Sequence, residues 1–179
     1  RAIAVHEAAE GGWGLSVGAD LVNLGILLNA TGQHRKAEET LRRARAIREN
    51  IQGPHHPEVA DVLGPWAEAL GQLGKFEPAE QAYQAAWEIF EKCFGPRCPA
   101  VLRTLNNLAE LYYKRSLDDE AERLLRESLA LGEFLYGPHH AAVQSAARNL
   151  LTLYISMDRP EEAAAVRKKL SPNGKKPAA

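Results

Sequence analysis

Two histidine pairs, His55-His56 and His139-His140, are the residues whose types and spacing most invite chemistry, because adjacent imidazoles can ligate zinc. Each pair ends a Gly-Pro-His-His tetrapeptide, at 53–56 and 137–140, and Gly-Pro-Arg-Cys stands halfway at 95–98, so the spacing is 42 residues each time. If each repeat of a stack adds about one helix diameter, roughly 10 Å, the two pairs lie some 20 Å apart. No cysteine or carboxylate cluster joins either pair, so no metal site is expected. The histidines read instead as parts of a capped turn, bonding to neighbouring backbone or helix ends. Cys93 and Cys98 could form a local disulfide across the Gly-Pro turn, but Cys93 occupies the repeat position of Ile51 and Leu135, which reads as a buried thiol. No glycine-rich phosphate loop, nucleophile elbow or zincin pattern occurs. The expectation is a protein that is not an enzyme and uses no cofactor.

Composition narrows the partners. Lys plus Arg number 22 against 23 Asp plus Glu, so no global field recruits nucleic acid or an anionic membrane surface. No run of 18 apolar residues is present, so no membrane insertion is expected. Two cysteines are too few for a disulfide framework, which suits a reducing, intracellular and cytoplasmic setting.

A tetrapeptide recurring at a fixed spacing marks a repeat array. In register, the repeats run 15–56, 57–98, 99–140 and 141–170, inside a domain of residues 11–170. Residues 1–10 fit the end of a helix from a preceding repeat, with Ala2, Val5 and Glu7 matching Ala44, Ile47 and Glu49; residues 171–179 read as a disordered tail. The first helix of each repeat carries the column Leu24, Trp66, Leu108, Leu150, then Gly25, Ala67, Ala109, then Leu28, Leu70, Tyr112, Tyr154, one helical face at a spacing of four. The second helix carries Ala37, Ala79, Ala121, Ala163, then Leu41, Tyr83, Leu125, then Ala44, Ala86, Ser128. Its glutamates read as a solvated face. Gly32-Gln33, Gly74-Lys75, Ser116-Leu117 and Asp158-Arg159-Pro160 suit short helix-to-helix turns. The Gly of each Gly-Pro is expected as a left-handed C-cap, and Pro57 and Pro99 open the next helix.

A period of 42 also lies within the range of HEAT and armadillo arrays, but the alanine column, which lets the second helix approach the first closely, resembles the tetratricopeptide repeat. The Gly-Pro-His-His-Pro-Glu-Val-Ala linker, the run Thr104-Leu105-Asn106-Asn107-Leu108-Ala109-Glu110-Leu111-Tyr112 and Ala121-Glu122 with Leu129-Ala130-Leu131 resemble the kinesin light chain and nephrocystin type. That resemblance implies an all-α, right-handed superhelical solenoid of antiparallel helical hairpins, non-catalytic and built to bind protein. Departures fall at the ends: Gly11-Gly12-Trp13-Gly14 lacks the His-Pro element, and Leu151 stands where other repeats have a small residue.

In such folds the concave surface is lined mainly by first helices. Candidate groove residues are Asn23 in the first repeat, with Val22 and Ile26; Glu68 in the second, with Asp61 and Gln72; Arg103, Asn106, Asn107, Glu110, Tyr113 and Lys114 in the third; and Arg148, Asn149 and Thr152 in the fourth, with Ser145. Asn23, Asn107 and Asn149 share one column, and an amide that both donates and accepts suits the backbone of an extended peptide. A helix-to-helix bond within the stack is the alternative use of that column. In the resembling kinesin light chains, groove asparagines and basic residues hold short peptides of acidic and aromatic character, which implicates Asn107 and Asn149 with Arg103, Lys114 and Arg148 as readers of acid. Gly64-Pro65 interrupts the column in the second repeat, and an interior proline predicts a kink or break near Asp61. The functional expectation is a scaffold taking a peptide or helix in its groove; the alternative is self-association, as a homo-oligomer, or docking within a larger protein.

Overall fold

The structure, a computed structural model, describes residues 14–170; the expectations for residues 1–10 and 171–179 lie outside them. Eight α-helices follow one another: α1 Leu15–Ala30, α2 His34–Gln52, α3 Pro57–Gln72, α4 Phe76–Phe94, α5 Pro99–Lys114, α6 Asp118–Tyr136, α7 Ala141–Ser156 and α8 Pro160–Leu170. Among the described residues there are no strands, and no helix is long and apolar enough to cross a membrane. The chain divides after Pro96 into two compact units, each of two helical hairpins. In the N-terminal unit α1 packs on α2, α2 on α3 and α3 on α4; in the C-terminal unit α5 packs on α6, α6 on α7 and α7 on α8.

Every hairpin closes with the same turn. The amides of Gln33, Lys75, Leu117 and Arg159 donate to the carbonyls of Leu28, Leu70, Tyr112 and Tyr154 at 2.8 to 3.0 Å. The residue before each donor is left-handed, with Gly32 and Gly74 at φ 74°, Ser116 at 56° and Asp158 at 54°, which is the Schellman closure of a helix end. The second helices end differently from expectation. Gly53, Gly95 and Gly137 have positive φ with ψ of 157°, 168° and 165°, an extended mirror-image conformation that is nearly glycine-only, not a left-handed cap.

The next helix then starts on the second histidine. His56 and His140 are the N-caps of α3 and α7, and their Nδ1 atoms accept from the amides of Glu58 and Ala142, both at 3.2 Å. The imidazoles therefore do the work usually given to Ser or Asp, satisfying one of the orphan amides of a helix start. Cys98, in the same position before α5, makes no side-chain cap.

The core follows the alanine column. Ala37, Ala79 and Ala121 are fully buried, and Leu41, Ala44 and Ile47 gather Val17, Leu21, Val62 and Ala69 into one cluster. Gly25 must be small, since a Cβ there would collide with the Leu41 side chain.

Several expectations are corrected. The helix α3 runs unbroken through Pro65: buried Val59, Ala60, Val62 and Leu63 before it and Ala67, Ala69 and Leu70 after it hold both halves to one face. Leu24 is partly exposed, although Leu108 and Leu150 in the same column are buried. Cys93 is exposed and Cys98 buried, both as free thiols. The Cys93 column leaves the core in the last turn of the second helix, as exposed Ile51 also shows.

Candidate functional site

Of the expected groove residues, five come together in the C-terminal unit. Glu110, Tyr113 and Lys114 from the end of α5 and Asn149 and Thr152 from α7 line a pocket of about 260 Å³ whose apolar part is Ala109, Leu125 and Leu153. The helices place them by period: 110, 113 and 114 share one face of α5, and 149, 152 and 153 one face of α7. Lys114 pairs with Glu110 at 2.8 Å along the rim, which presents both signs of charge beside the exposed Tyr113 ring. Thr152 Oγ1 is engaged with the Arg148 carbonyl at 3.0 Å, turning its methyl group free of that bond.

Asn149 is exposed and Asn107 half-buried on the same helices. Neither amide makes a hydrogen bond among the described residues, so the helix-to-helix use of the column is not seen. The remaining candidates are placed as follows. Arg103 and Arg148 are exposed, and Arg148 Nε donates to the Gln144 carbonyl at 3.1 Å. Asn106 is half-buried, and its Oδ1 is shut from solvent without a hydrogen-bond partner among the described residues. In the N-terminal unit Asn23 is exposed on α1 and Glu68 on α3, and neither lines a described pocket.

Sequence reasoning missed Asn29. It is buried on α1, and its Nδ2 donates to the Pro65 carbonyl at 2.8 Å and to Glu68 Oε2 at 3.4 Å. The signal was available, because Asn29 falls in the same column as Tyr113.

Behind the pocket-bearing face, the second-helix glutamates are not uniformly solvated. Glu122 on α6 is only 14% exposed and accepts from Tyr154 Oη at 2.9 Å. Arg126 pairs with it at 2.8 Å and donates through Nε to Tyr154 Oη at 3.0 Å, while Arg159 bridges Glu122 and Glu162. Burial alone would raise the Glu122 carboxyl; hydrogen bonds from Arg159 and Tyr154 and the charges of Arg159 and Arg126 outweigh it and hold the group below its usual range. Burial and the bond to Glu122 push the Tyr154 phenol up. Hydrogen bonds to Glu162 and Glu122 hold the Arg159 guanidinium above its ordinary value. Among the described residues no group of three or more His, Cys, Asp or Glu is disposed to hold a metal.

The sequence profile of the tetratricopeptide repeat family matches residues 18–92, 60–133 and 101–169. Among solved structures, BtubC (BKLC) from P. vanneervenii is 25% identical and superposes with a TM-score of 0.78 over 92% of this chain and 69% of that one. A putative kinesin light chain from Podosopora anserina with nearly identical TPR-like repeats is 21% identical, with a TM-score of 0.74 over 94% of this chain and 80% of that one. Aspartyl phosphate phosphatase F from Bacillus subtilis shares the fold at 15% identity, with a TM-score of 0.76 over 87% of this chain and 39% of that one. No curated protein matches the chain significantly. Repeats of this fold generally mediate protein–protein interaction, and scaffolds built from them are generally without enzymatic activity. Four hairpins on a 42-residue period, closed by the same turn and overlapped end to end by the family profile, place the chain in the tetratricopeptide repeat family, with kinesin light chain-like relatives.

Proposed function

We propose that the chain is a non-catalytic scaffold that binds an extended protein segment on the α5 and α7 face of its C-terminal unit. The observation that carries this is the pocket formed by Glu110, Tyr113, Lys114, Asn149 and Thr152 over an apolar floor, flanked by the Asn107 and Asn149 amides, which have no hydrogen bond within the described residues. Two unengaged amides on adjacent helices match the alternating donors and acceptors of a peptide backbone, and the pocket takes one side chain. Arg103, Lys114 and Arg148 supply the attraction for acidic residues beside it.

The test is selection from a random peptide library on the immobilised chain, followed by titration of a recovered, synthesised peptide. The double change Asn107→Ala with Asn149→Ala is expected to weaken that peptide about tenfold or more, since each lost bond to a peptide group is worth about 0.5–1.5 kcal/mol. Unchanged affinity, with circular dichroism showing intact helices, overturns the reading. A loss of affinity as salt rises checks the acid preference.

A further inference from the structure

Two helices with the same neighbours differ at one large side chain. α3 packs on α2 and α4, α7 packs on α6 and α8, and where α3 carries Trp66 α7 carries Leu150. Trp66 lies partly buried against the core, with the Arg45 guanidinium 5.1 Å from its ring and its Nε1 donating to Glu38 at 3.4 Å. Both charges are paired at the same time, Arg45 with Glu49 at 2.7 Å and Glu38 with Arg42 at 4.0 Å. The N-terminal unit thus shows how this repeat position seats an indole: ring on aliphatic side chains, one face under a guanidinium, N–H on a carboxylate, and the surrounding ion pairs intact.

In the C-terminal unit the shorter Leu150 leaves a groove of about 380 Å³ between α6 and α8, floored by Leu150 and Tyr154 of α7. Leu129 of α6 and Val166 of α8 are buried in its walls, and Ala130 and Ala165 are exposed at its lip. The volume falls in the range of ligand clefts, about 300–1,000 Å³. Its rim repeats the surroundings of Trp66 in kind. Arg126 supplies a guanidinium, and Glu133 and Glu162 supply carboxylates. Arg126 is paired with Glu122, Glu133 with Lys169 and Glu162 with Arg159, as the charges around Trp66 are paired, and a carboxylate in one ion pair keeps lone pairs for an N–H. Every lining residue belongs to α6, α7 or α8, and residues 171–179, Ser-Pro-Asn-Gly-Lys-Lys-Pro-Ala-Ala, hold no aromatic side chain that could supply the ring.

We infer that the α6–α8 groove takes a tryptophan side chain of a protein partner, seated as Trp66 is seated in the N-terminal unit. The ring lies on Leu129, Leu150 and Val166, one face turned to the Arg126 guanidinium, and its N–H is donated to a rim carboxylate. Charge complementarity selects the indole, whose electron-rich face meets the cation and whose N–H meets the anion. A leucine of the partner fills part of the floor and offers neither. The groove shares no residue with the α5–α7 pocket, so the two sites stand or fall separately.

Titration of the full chain with N-acetyl-L-tryptophanamide, followed by nitrogen–proton correlation NMR, tests this, with N-acetyl-L-leucinamide as the control probe. The tryptophan probe is expected to give saturable shifts at the amides of Leu129, Ala130, Leu150 and Val166, and the leucine probe much smaller ones. Ala165→Arg, at the exposed lip, abolishes the shifts while circular dichroism shows unchanged helicity. Leu150→Trp fills the groove from within, as Trp66 does in α3, and the folded variant no longer takes the probe; should it fail to fold, Ala165→Arg alone decides. The inference is overturned by the absence of saturable shifts, by equal shifts with the leucine probe, by binding that survives Ala165→Arg, or by shifts centred on Glu110, Tyr113 and Asn149. Groove amides that shift with protein concentration alone would make a second copy of the chain the occupant, which also overturns it.

Discussion

The seam between the hairpins of the N-terminal unit and the seam between those of the C-terminal unit occupy matching repeat positions and are closed by different chemistry. At the first, Trp66 lies under Arg45, 5.1 Å from its guanidinium, and its Nε1 donates to Glu38 at 3.4 Å, while Asn29 bonds the backbone of α3. At the second, Leu150 replaces Trp66, and closure passes to Tyr154, one turn later, with Glu122, Arg126 and Arg159. A groove of about 380 Å³ lined by Leu129, Leu150, Tyr154 and Val166 remains where the indole would stand. One seam rests on a large aromatic surface under a guanidinium, with the Arg48–Glu58 ion pair beside it, and the other on ions converging on a single carboxylate. The fold demands that the column be closed and leaves open which forces close it.

The largest expected effect follows from that convergence. Glu122→Ala removes the acceptor shared by Tyr154, Arg126 and Arg159, and should destabilise the C-terminal unit by about 1.5–3 kcal/mol, the range for a hydrogen bond to a charged group. Glu38→Ala, which takes away one long bond to Trp66, should cost under about 1 kcal/mol. Urea unfolding separates the two, because Trp66 and Trp87 both lie in the N-terminal unit and report on it by fluorescence, while far-ultraviolet circular dichroism sees both units. Equal losses in the two variants would erase the distinction between the seams.

Acid should act on the second seam through the same group. Because the folded Glu122 carboxyl titrates below its ordinary value of 4.5, its contribution is fully present above that pH and is lost as pH falls through the depressed value. Tyr154 works on the other flank: its phenol is raised above 10.0, so its contribution is present below that pH and lost as pH rises through the elevated value. Melting temperature followed by circular dichroism between pH 3 and 6 should therefore fall on acidification, and Glu122→Gln should flatten the slope while lowering the plateau. An unchanged slope in that variant would place the acid sensitivity elsewhere.

These differences mark where the sequence was readable. The period, the hairpins and the alanine column were legible because they depend on spacing within one helix pair, and so was the role of the Gly-Pro-His-His turn as a cap. The half-buried, ion-paired state of Glu122 was not, since it is made by Tyr154, 32 residues away in the next hairpin, and by Arg159 beyond that. Leu24 failed for the complementary reason: its column is apolar, but burial depends on a neighbour that α1 does not have within the described residues. Pro65 misled because local propensity predicts a break, whereas packing on both sides of it keeps α3 whole. For the candidate site, the helix face was legible and the pocket was not, because Leu125 enters it from the second helix.

The smallest expected effect sharpens the comparison at the turns inside each hairpin. The N-terminal unit places Gly32 and Gly74 in the left-handed position, and the C-terminal unit places Ser116 and Asp158 there at φ some 20° smaller. A side chain in that conformation costs about 1–2 kcal/mol, less for Asp, whose carboxylate makes local bonds, and glycine gives part of this back through the freedom of its unfolded chain. Ser116→Gly should therefore stabilise the C-terminal unit by about 0.5–1 kcal/mol, and Asp158→Gly by less. Gly74→Ser should destabilise the N-terminal unit by a similar amount, which Trp fluorescence will read directly. If Ser116→Gly is neutral, the hydroxyl makes up for the strain, and the two units close their hairpins equally well with different residues.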